Sequence, residues 1–185
     1  PGGTRALGLG NAFVAGRGAE VLFYNPAQIV VARGSAVSVQ RIGSVSTLGT
    51  FSTLGAFGAV AIGAGVQYLD YQTPYSQPVF TPPPLLTLPG PIESASVAAT
   101  IAAAIRWKTV RIGAAVKYVE EHVGPTRDAS VALDVGAARE LGRVTVALVL
   151  QNLGPGITIQ ETAAELPLRV TAGVASPEIR LGTFF

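Results

Sequence analysis

Residues 110–119 read VRIGAAVKYV, and their alternation is the clearest indication of the fold in the sequence. The apolar members are Val110, Ile112, Ala114, Val116 and Tyr118, and the positions between them carry Arg, Gly, Ala, Lys and Val. Successive side chains of a β-strand point to opposite faces. The alternation therefore predicts a strand with one continuous apolar face and one face of polar or small residues.

The same alternation recurs along the chain and predicts eight strands, or nine with Ile179–Phe185. The other seven are Ser35–Ile42, Val45–Leu54, Ala59–Tyr71, Val97–Trp107, Val131–Arg139, Val144–Asn152 and Leu168–Ala175. Tight turns separate most of them, and the long breaks are Gln72–Ile92, Glu120–Arg127 and Leu153–Pro167. Short and long connections that broadly alternate are typical of an antiparallel up-and-down sheet with long loops on one side.

Composition narrows the class of protein. Of the 185 residues, 49% are hydrophobic and only 13% are charged, where about a quarter is usual for a soluble domain. No window reaches the roughly 18 apolar residues of a membrane-spanning helix, since the most apolar stretch is Ala95–Ile105. A helical membrane protein is excluded, and a composition this apolar argues against disorder.

Two all-β architectures fit this pattern. A soluble β-sandwich also alternates, but it places charged residues on its outer face. Here the non-apolar face is mostly Ala and Gly, which favours a barrel whose Val/Ile/Leu face contacts lipid. Strands of about nine to thirteen residues match the roughly 9–11 residues that span a bilayer. The aromatic residues near strand ends would then form interfacial girdles: Tyr68, Tyr71, Trp107 and Tyr118.

Residues 1–34 do not alternate and are predicted to form a separate N-terminal segment. Asn25-Pro26 is a good helix start, because Asn caps a helix and Pro fits its first position. The segment is short and apolar, so we expect it to pack inside the barrel as a plug helix. The chain then divides into a plug, residues 1–34, and barrel strands, residues 35–185.

Two N-terminal motifs, RALGLGNAFVA at residues 5–15 and YNPA at residues 24–27, carry a family resemblance. Five shorter motifs follow in family order, at residues 65–71, 115–119, 132–136, 150–154 and 166–168. Together they resemble the PorV/PorQ-type proteins of the FadL-like outer-membrane β-barrels. The chain departs from the family pattern at Gln28-Ile29, where the family favours Gly-Leu, and in the loop Thr73–Pro91.

The resemblance implies a transmembrane barrel of about fourteen strands in the bacterial outer membrane, of which this chain holds eight or nine. We therefore expect a fragment that lacks C-terminal strands rather than a complete small barrel, with any signal peptide already removed. The resemblance also gives Asn25, Pro26 and Ala27 a role in anchoring the plug within the barrel. A plain helix cap at Asn25 is the alternative, and both roles are compatible.

Seven polar residues are predicted to face the lumen: Gln67, Arg106, Arg111, Lys117, Asp134, Gln151 and Arg169. Asp134 is the only acid among several cations, so we expect it to pair with Arg111 or with Lys117. Pairing among these side chains is favoured over ligand binding as the reason for their presence. Gly63 and Gly65 on the same face indicate close packing against the plug.

No catalytic constellation is recognisable. The single histidine, His122, stands beside two glutamates without convergent ligands, and is expected in a solvated loop. The chain has no Cys and no nucleotide or hydrolase motif. Lys and Arg are scattered singly along the sequence. We therefore expect no enzyme, metal, cofactor or nucleic-acid partner.

The Pro-rich loop Thr73–Pro91 is predicted to contact another protein or a neighbouring copy of this chain. The loop combines prolines, which favour an extended backbone, with apolar side chains that are suited to a protein interface. The residues predicted to make the contact are Pro82, Pro83, Pro84, Leu85 and Leu86. Besides the lipid bilayer, the expected partners are other chains of an outer-membrane or cell-surface assembly.

Three functions follow as hypotheses. The resemblance favours a partner-binding component of a type IX-like secretion machinery, because a lumen of small residues leaves little room for a ligand. A FadL-like channel for hydrophobic molecules is the second hypothesis. A structural outer-membrane protein in a larger complex is the third.

Overall fold

The main feature of the fold is one antiparallel sheet of eight strands. The computed structural model describes residues 6, 8, 9, 12–73, 92–159 and 162–176. Its strands are β1 (Gly34–Ile42), β2 (Ser46–Phe57), β3 (Val60–Thr73), β4 (Ile92–Trp107), β5 (Val110–Val123), β6 (Thr126–Leu141), β7 (Val144–Leu153), β8 (Ile157–Ile159), β9 (Thr162–Ala164) and β10 (Arg169–Ala175). The order β1-β2-β3-β4-β5-β6-β7-β10 is up-and-down, and the sheet curls into a half-barrel. The predicted all-β antiparallel class is confirmed.

The two faces of the sheet differ as the alternation predicts. Residues opposite one another in an antiparallel pair share a face. Ala64, Ile101, Val116 and Leu133 form one such row, and Ile101 is 71% exposed. The neighbouring row is Gly63, Ala102, Ala115 and Asp134, and Ala115 is 2% exposed. We call the exposed apolar side the outer face and the buried side the inner face.

Three two-residue turns close the same end of the sheet, at Gly58-Ala59, Lys108-Thr109 and Gly142-Arg143. The first residue of each has positive φ, between 55° and 62°, and the second does not, which is the pattern of type II′ hairpin turns. We call this the turn end. The opposite, loop end carries the connections β1–β2, β3–β4, β5–β6 and β7–β10.

One prediction about the connections is wrong, and a second connection contains strands that were not predicted. Glu120–Arg127 is not a long loop, because β5 and β6 continue to a two-residue turn at Gly124-Pro125. The polar residues at these strand ends interrupt the apolar pattern, although the ladder of hydrogen bonds continues through them. In the break Leu153–Pro167, β8 and β9 form a separate hairpin that packs beside β6. The predicted strand Ile179–Phe185 lies outside the described residues.

The N-terminal segment lies on the inner face. It contains two short 3₁₀ helices, Ala19–Phe23 and Pro26–Val31, rather than one longer helix. Pro26 has no N–H to continue a helix and begins the second one. The second helix contacts β3, β4, β5 and β6. Phe13, Leu22 and Ile29 are fully buried, and burial of each such side chain stabilises the fold by about 1.5–3 kcal/mol.

Candidate functional site

Glycines on the inner face let the backbone of the N-terminal segment approach the sheet. A Cβ atom at Gly113 would lie 2.6 Å from the carbonyl carbon of Pro26, and one at Gly65 would lie 2.7 Å from the Phe23 ring. At Gly136 a Cβ atom would overlap the side-chain oxygen of Asn25. The predicted close packing of the segment at Gly65, and at Gly63 beside Leu22, is confirmed. At Gly65, Gly113 and Gly136, a larger residue would displace the segment.

Asn25 is both a helix cap and an anchor. Its Oδ1 accepts a hydrogen bond from the Ala27 backbone N–H at 3.0 Å, which caps the second 3₁₀ helix. Its Nδ2 donates to the Val14 carbonyl oxygen at 3.1 Å. Asn25, Pro26 and Ala27 are fully buried. One side chain therefore joins two turns of the segment while it rests on Gly136.

A β-bulge creates a polar cluster at the centre of the inner face. Gln151 and Asn152 of β7 together oppose Asp134 of β6, where the register between the two strands shifts. Asn152 adopts a left-handed φ of 62°, a conformation that Asn tolerates better than most residues. The bulge turns its backbone N–H toward Asp134.

The Asp134 carboxylate accepts three donors within this cluster. Lys117 Nζ lies 2.8 Å from its Oδ2, Gln151 Nε2 lies 3.2 Å from Oδ2, and the Asn152 N–H lies 2.9 Å from Oδ1. Lys117 also donates to Asn152 Oδ1 at 2.8 Å. Asp134 is 1% exposed, so its charge is balanced inside the protein rather than by solvent. We name Lys117, Asp134, Gln151 and Asn152 the polar latch.

The polar latch holds the N-terminal segment directly. Gln151 Nε2 also donates to the Phe23 carbonyl oxygen at 3.2 Å, at the end of the first 3₁₀ helix. Of the two pairs predicted for Asp134, the pair with Lys117 forms. Asn152 was not predicted as a member of this cluster. The sequence signal for its left-handed backbone was an Asn followed by Leu-Gly at the end of a strand.

Arg111 pairs with Glu140 instead of Asp134. Its Nη1 lies 2.7 Å from Glu140 Oε1 at the turn end, while Arg17 approaches the same oxygen at 3.8 Å. Glu140 was not predicted because it sits beside the last residue of β6, where the alternation ends. The register places Arg106 opposite Arg111, but Arg106 is exposed at the mouth of the half-barrel.

The remaining predicted lumen residues differ in their burial. Gln67 is half-buried between Thr50 and Ala98. Arg169 lies opposite Gln151 on β10 but is exposed, because β10 is the last strand of the sheet. Gln28 was noted in the sequence only because it departs from the family motif, and it was not predicted to be a site residue. It is 1% exposed, and neither amide atom has a hydrogen-bond partner among the described residues.

Aromatic and histidine side chains near the strand ends fall on both faces. Tyr68, Trp107 and Tyr118 are exposed on the outer face. Tyr71 was expected beside them but faces inward, and its hydroxyl donates to Glu121. His122 lies in β5 rather than in a loop, and it is exposed as expected. Within the described ranges, no three His, Asp or Glu side chains are grouped to hold a metal ion.

The outer face carries a shallow apolar groove of about 760 Å³ across β2 to β5. It forms where small residues such as Gly55, Ala64 and Ala103 lie between Ile62, Ile101 and Val116. Within the part of the chain that the structure describes, no helix is long and apolar enough to cross a membrane. The loop residues expected to bind a partner, Pro82, Pro83, Pro84, Leu85 and Leu86, lie outside the described residues.

The fold and these contacts define an all-β protein whose curled main sheet binds its own N-terminal segment on the inner face. No protein-family model matches the chain, and no curated protein matches it. The resemblance to PorV/PorQ-type proteins thus stays a prediction from the sequence motifs.

Proposed function

We propose that this chain forms part of the wall of an outer-membrane β-barrel and acts there as a partner-binding component of a protein secretion assembly, similar to PorV-type proteins. One observation carries the proposal: the opposite character of the two faces of the sheet. Large apolar side chains cover the outer face, while the inner face is occupied by the chain's own N-terminal segment.

Lipid contact is the best explanation of the outer face. Val37, Ile101, Leu148 and Val174 are each more than half exposed. Contiguous apolar surfaces of this extent mark membrane or protein interfaces rather than water-facing walls. The strands β3 to β6 hold 14 to 16 residues, more than the roughly 9–11 that cross a bilayer. Their ends therefore reach into the interfacial layer.

The occupied inner face favours partner binding over conduction. Any molecule that passes along the inner face must first displace the side chains of Phe13, Leu22 and Ile29, all of which are buried there. The polar latch and Asn25 hold the segment in place through hydrogen bonds. We therefore assign partner binding to the loop end, where the long connections β3–β4 and β7–β10 lie.

A FadL-like channel for hydrophobic molecules is the second candidate, and the outer-face groove is the observation that favours it. The groove is lined almost entirely by aliphatic residues, and its lining includes Gly63 and Ala115 from the neighbouring inner-face row. An acyl chain has the matching shape and polarity. In this case the N-terminal segment would gate a lateral path through the wall.

The test of partner binding replaces residues 74–91 with a Gly/Ser segment of equal length in the tagged protein. The matched control inserts the same segment between Gly58 and Ala59 at the turn end. Outer membranes are solubilised in detergent, and co-purified proteins are quantified by mass spectrometry. We expect the wild-type and control proteins to retain the same outer-membrane partners and the loop variant to lose them.

Two results would contradict the proposal. One is recovery of the wild-type protein outside the outer-membrane fraction. The other is full retention of partners by the loop variant. An uptake assay with a fluorescent long-chain fatty acid separates the second candidate, since only a channel raises uptake above that of cells lacking the protein.

A further inference from the structure

Charged residues separate between the two ends of the sheet. Outside the two 3₁₀ helices, the described residues at the turn end include seven cations and one carboxylate: Arg17, Arg33, Arg106, Lys108, Arg111, Arg139, Arg143 and Glu140. Those at the loop end include three cations and five carboxylates: Arg41, Arg127, Arg169, Asp70, Glu120, Glu121, Asp128 and Glu165. Antiparallel strands return to the same end of the sheet, so cations that are scattered along the sequence gather there.

Arg139 is a cation on an otherwise apolar surface. On the outer face it lies opposite Val110 on one side and Val146 on the other. Trp107 is the next residue in the same row, opposite Val110. Arg139 is exposed and makes no hydrogen bond or ion pair with another residue that the structure describes. Its neighbour Glu140 belongs to the inner face, where it binds Arg111.

Two further cations extend this site along the turn end. Lys108 and Arg143 lie in the turns on either side of the β5–β6 pair, and both are exposed. The Nζ atom of Lys108 is 5.5 Å from the centre of the Trp107 ring. We name Lys108, Arg139 and Arg143 the basic rim.

At the loop end, one outer-face cation, Arg127, has a carboxylate partner, whereas Arg41, within the described ranges, donates only to the Ser44 carbonyl oxygen. There Arg127 Nη2 lies 2.6 Å from Glu120 Oε2, and the Tyr118 hydroxyl donates to the same oxygen at 2.9 Å. That cation has its counter-ion within the protein, whereas the basic rim has none among the described residues. The basic rim therefore presents three exposed cations to an anion in its surroundings.

We propose that the basic rim binds the phosphodiester groups of anionic phospholipids, whose charge no choline cation neutralises, in the leaflet around the turn end. The inference rests on the proposed membrane location. Arg and Lys lay their aliphatic stems along apolar surface and extend their charged groups to the polar boundary. Guanidinium groups pair well with phosphate, and Trp favours the same interfacial depth. Trp107 and the apolar residues beside Arg139 can contact the acyl chains of a lipid, whereas they contribute nothing to the binding of a small anion from water.

Trp107 is the only tryptophan in the chain, and it lies beside the proposed site. Its fluorescence can be followed in zwitterionic detergent micelles as lipids with brominated acyl chains are added, because bromine quenches Trp on contact. Phosphatidylglycerol and phosphatidylcholine are titrated separately. The test variant is Arg139→Gln with Arg143→Gln. The matched control is Arg41→Gln with Arg169→Gln, which removes two exposed cations from the loop end.

We expect wild-type quenching to reach half-saturation at a roughly tenfold lower fraction of phosphatidylglycerol than of phosphatidylcholine. The control variant should keep this preference, and the Arg139/Arg143 variant should lose it. Equal half-saturation by the two lipids in the wild type overturns the inference. Loss of the preference in the control variant, or its removal by inorganic phosphate at constant ionic strength, also overturns it.

Failure of the underlying membrane proposal gives a distinct result. In that case neither brominated lipid quenches Trp107, because the outer face does not contact acyl chains. Quenching by both lipids with equal affinity instead retains the lipid contact and rejects only the phosphate site.

Discussion

The Nζ atom of Lys117 lies 2.8 Å from Oδ2 of Asp134 on the inner face of the sheet, at the bulge where β7 shifts its register against β6. Gln151 extends the contact from Asp134 to the backbone of Phe23. A buried ion pair in the wall thus holds the N-terminal segment through one amide side chain. The stability of the segment and that of the wall are therefore coupled.

Asp134→Ala should destabilise the protein by about 3–5 kcal/mol, because it leaves the largely buried Lys117 ammonium without its partner. The double variant Lys117→Met, Asp134→Ala should lose less than the single variant, since no charge remains uncompensated. Urea unfolding in detergent micelles measures both. A double variant less stable than Asp134→Ala alone would show that the pair is not the source of the effect.

Gly113→Ala should loosen the N-terminal segment, because the added Cβ would lie 2.6 Å from the Pro26 backbone. Overpacking of this kind costs about 1–3 kcal/mol. Gly55→Ala is the matched control, since Gly55 also lies within a strand and has open space around the added atom. Hydrogen exchange of residues 13–31, followed by mass spectrometry, should accelerate in Gly113→Ala only. Equal exchange in the two variants would argue against the packing described here.

The two roles of Asn25 can be separated by size. Asn25→Ser keeps a capping oxygen for the Ala27 N–H but is too short to reach the Val14 carbonyl, whereas Asn25→Ala loses both bonds. We expect the free energy of unfolding to fall from the wild type to Asn25→Ser and again to Asn25→Ala, by about 1 kcal/mol for each hydrogen bond lost. If the Ser variant is as stable as the wild type, the bond to Val14 does not contribute.

A charged residue introduced on the outer face should lower the free energy of unfolding more strongly the nearer it lies to the middle of the bilayer. Ile101→Arg, near the middle of β4, should destabilise protein folded in lipid vesicles by about 2–4 kcal/mol. Trp107→Arg at the turn end should cost about 1 kcal/mol or less for its charge. In a water-facing sheet, the 71% exposed Ile101 would accept Arg at almost no cost. Denaturant titrations in vesicles compare the two positions.

The fold was largely predictable because the alternation of apolar and small or polar residues can be recognised within each strand, without knowledge of its neighbours. The eight strands of the sheet and the two characters of its faces follow from the alternation around Val110–Val119 and its repeats. The β8–β9 hairpin escaped prediction, since three-residue strands are too short to establish a period. The ends of β5 and β6 escaped it as well, since their paired charges mimic a loop.

The site was only partly predictable because contacts across the sheet depend on register. Asp134, Lys117 and Gln151 were expected on one face, and Asn25 was expected as cap or anchor. The bulge that adds Asn152 shifts the register of only one strand pair, and the two-residue alternation of neither strand reveals it. The partnership of Arg111 with Glu140 likewise depends on which strand ends meet at the turn end.

Lipid contact of the outer face can be measured directly by spin labelling, because a chain without Cys allows single-cysteine labelling. Nitroxide labels are placed at the outer-face positions Ile101, Ala103 and Val116 and at the turn positions Ala59 and Thr109, and the protein is reconstituted in vesicles. Collision rates with oxygen and with a water-soluble nickel chelate are then compared by electron paramagnetic resonance. Lipid contact predicts high oxygen and low nickel accessibility at the three outer-face positions and the reverse at the turns. High nickel accessibility at all five positions would contradict it.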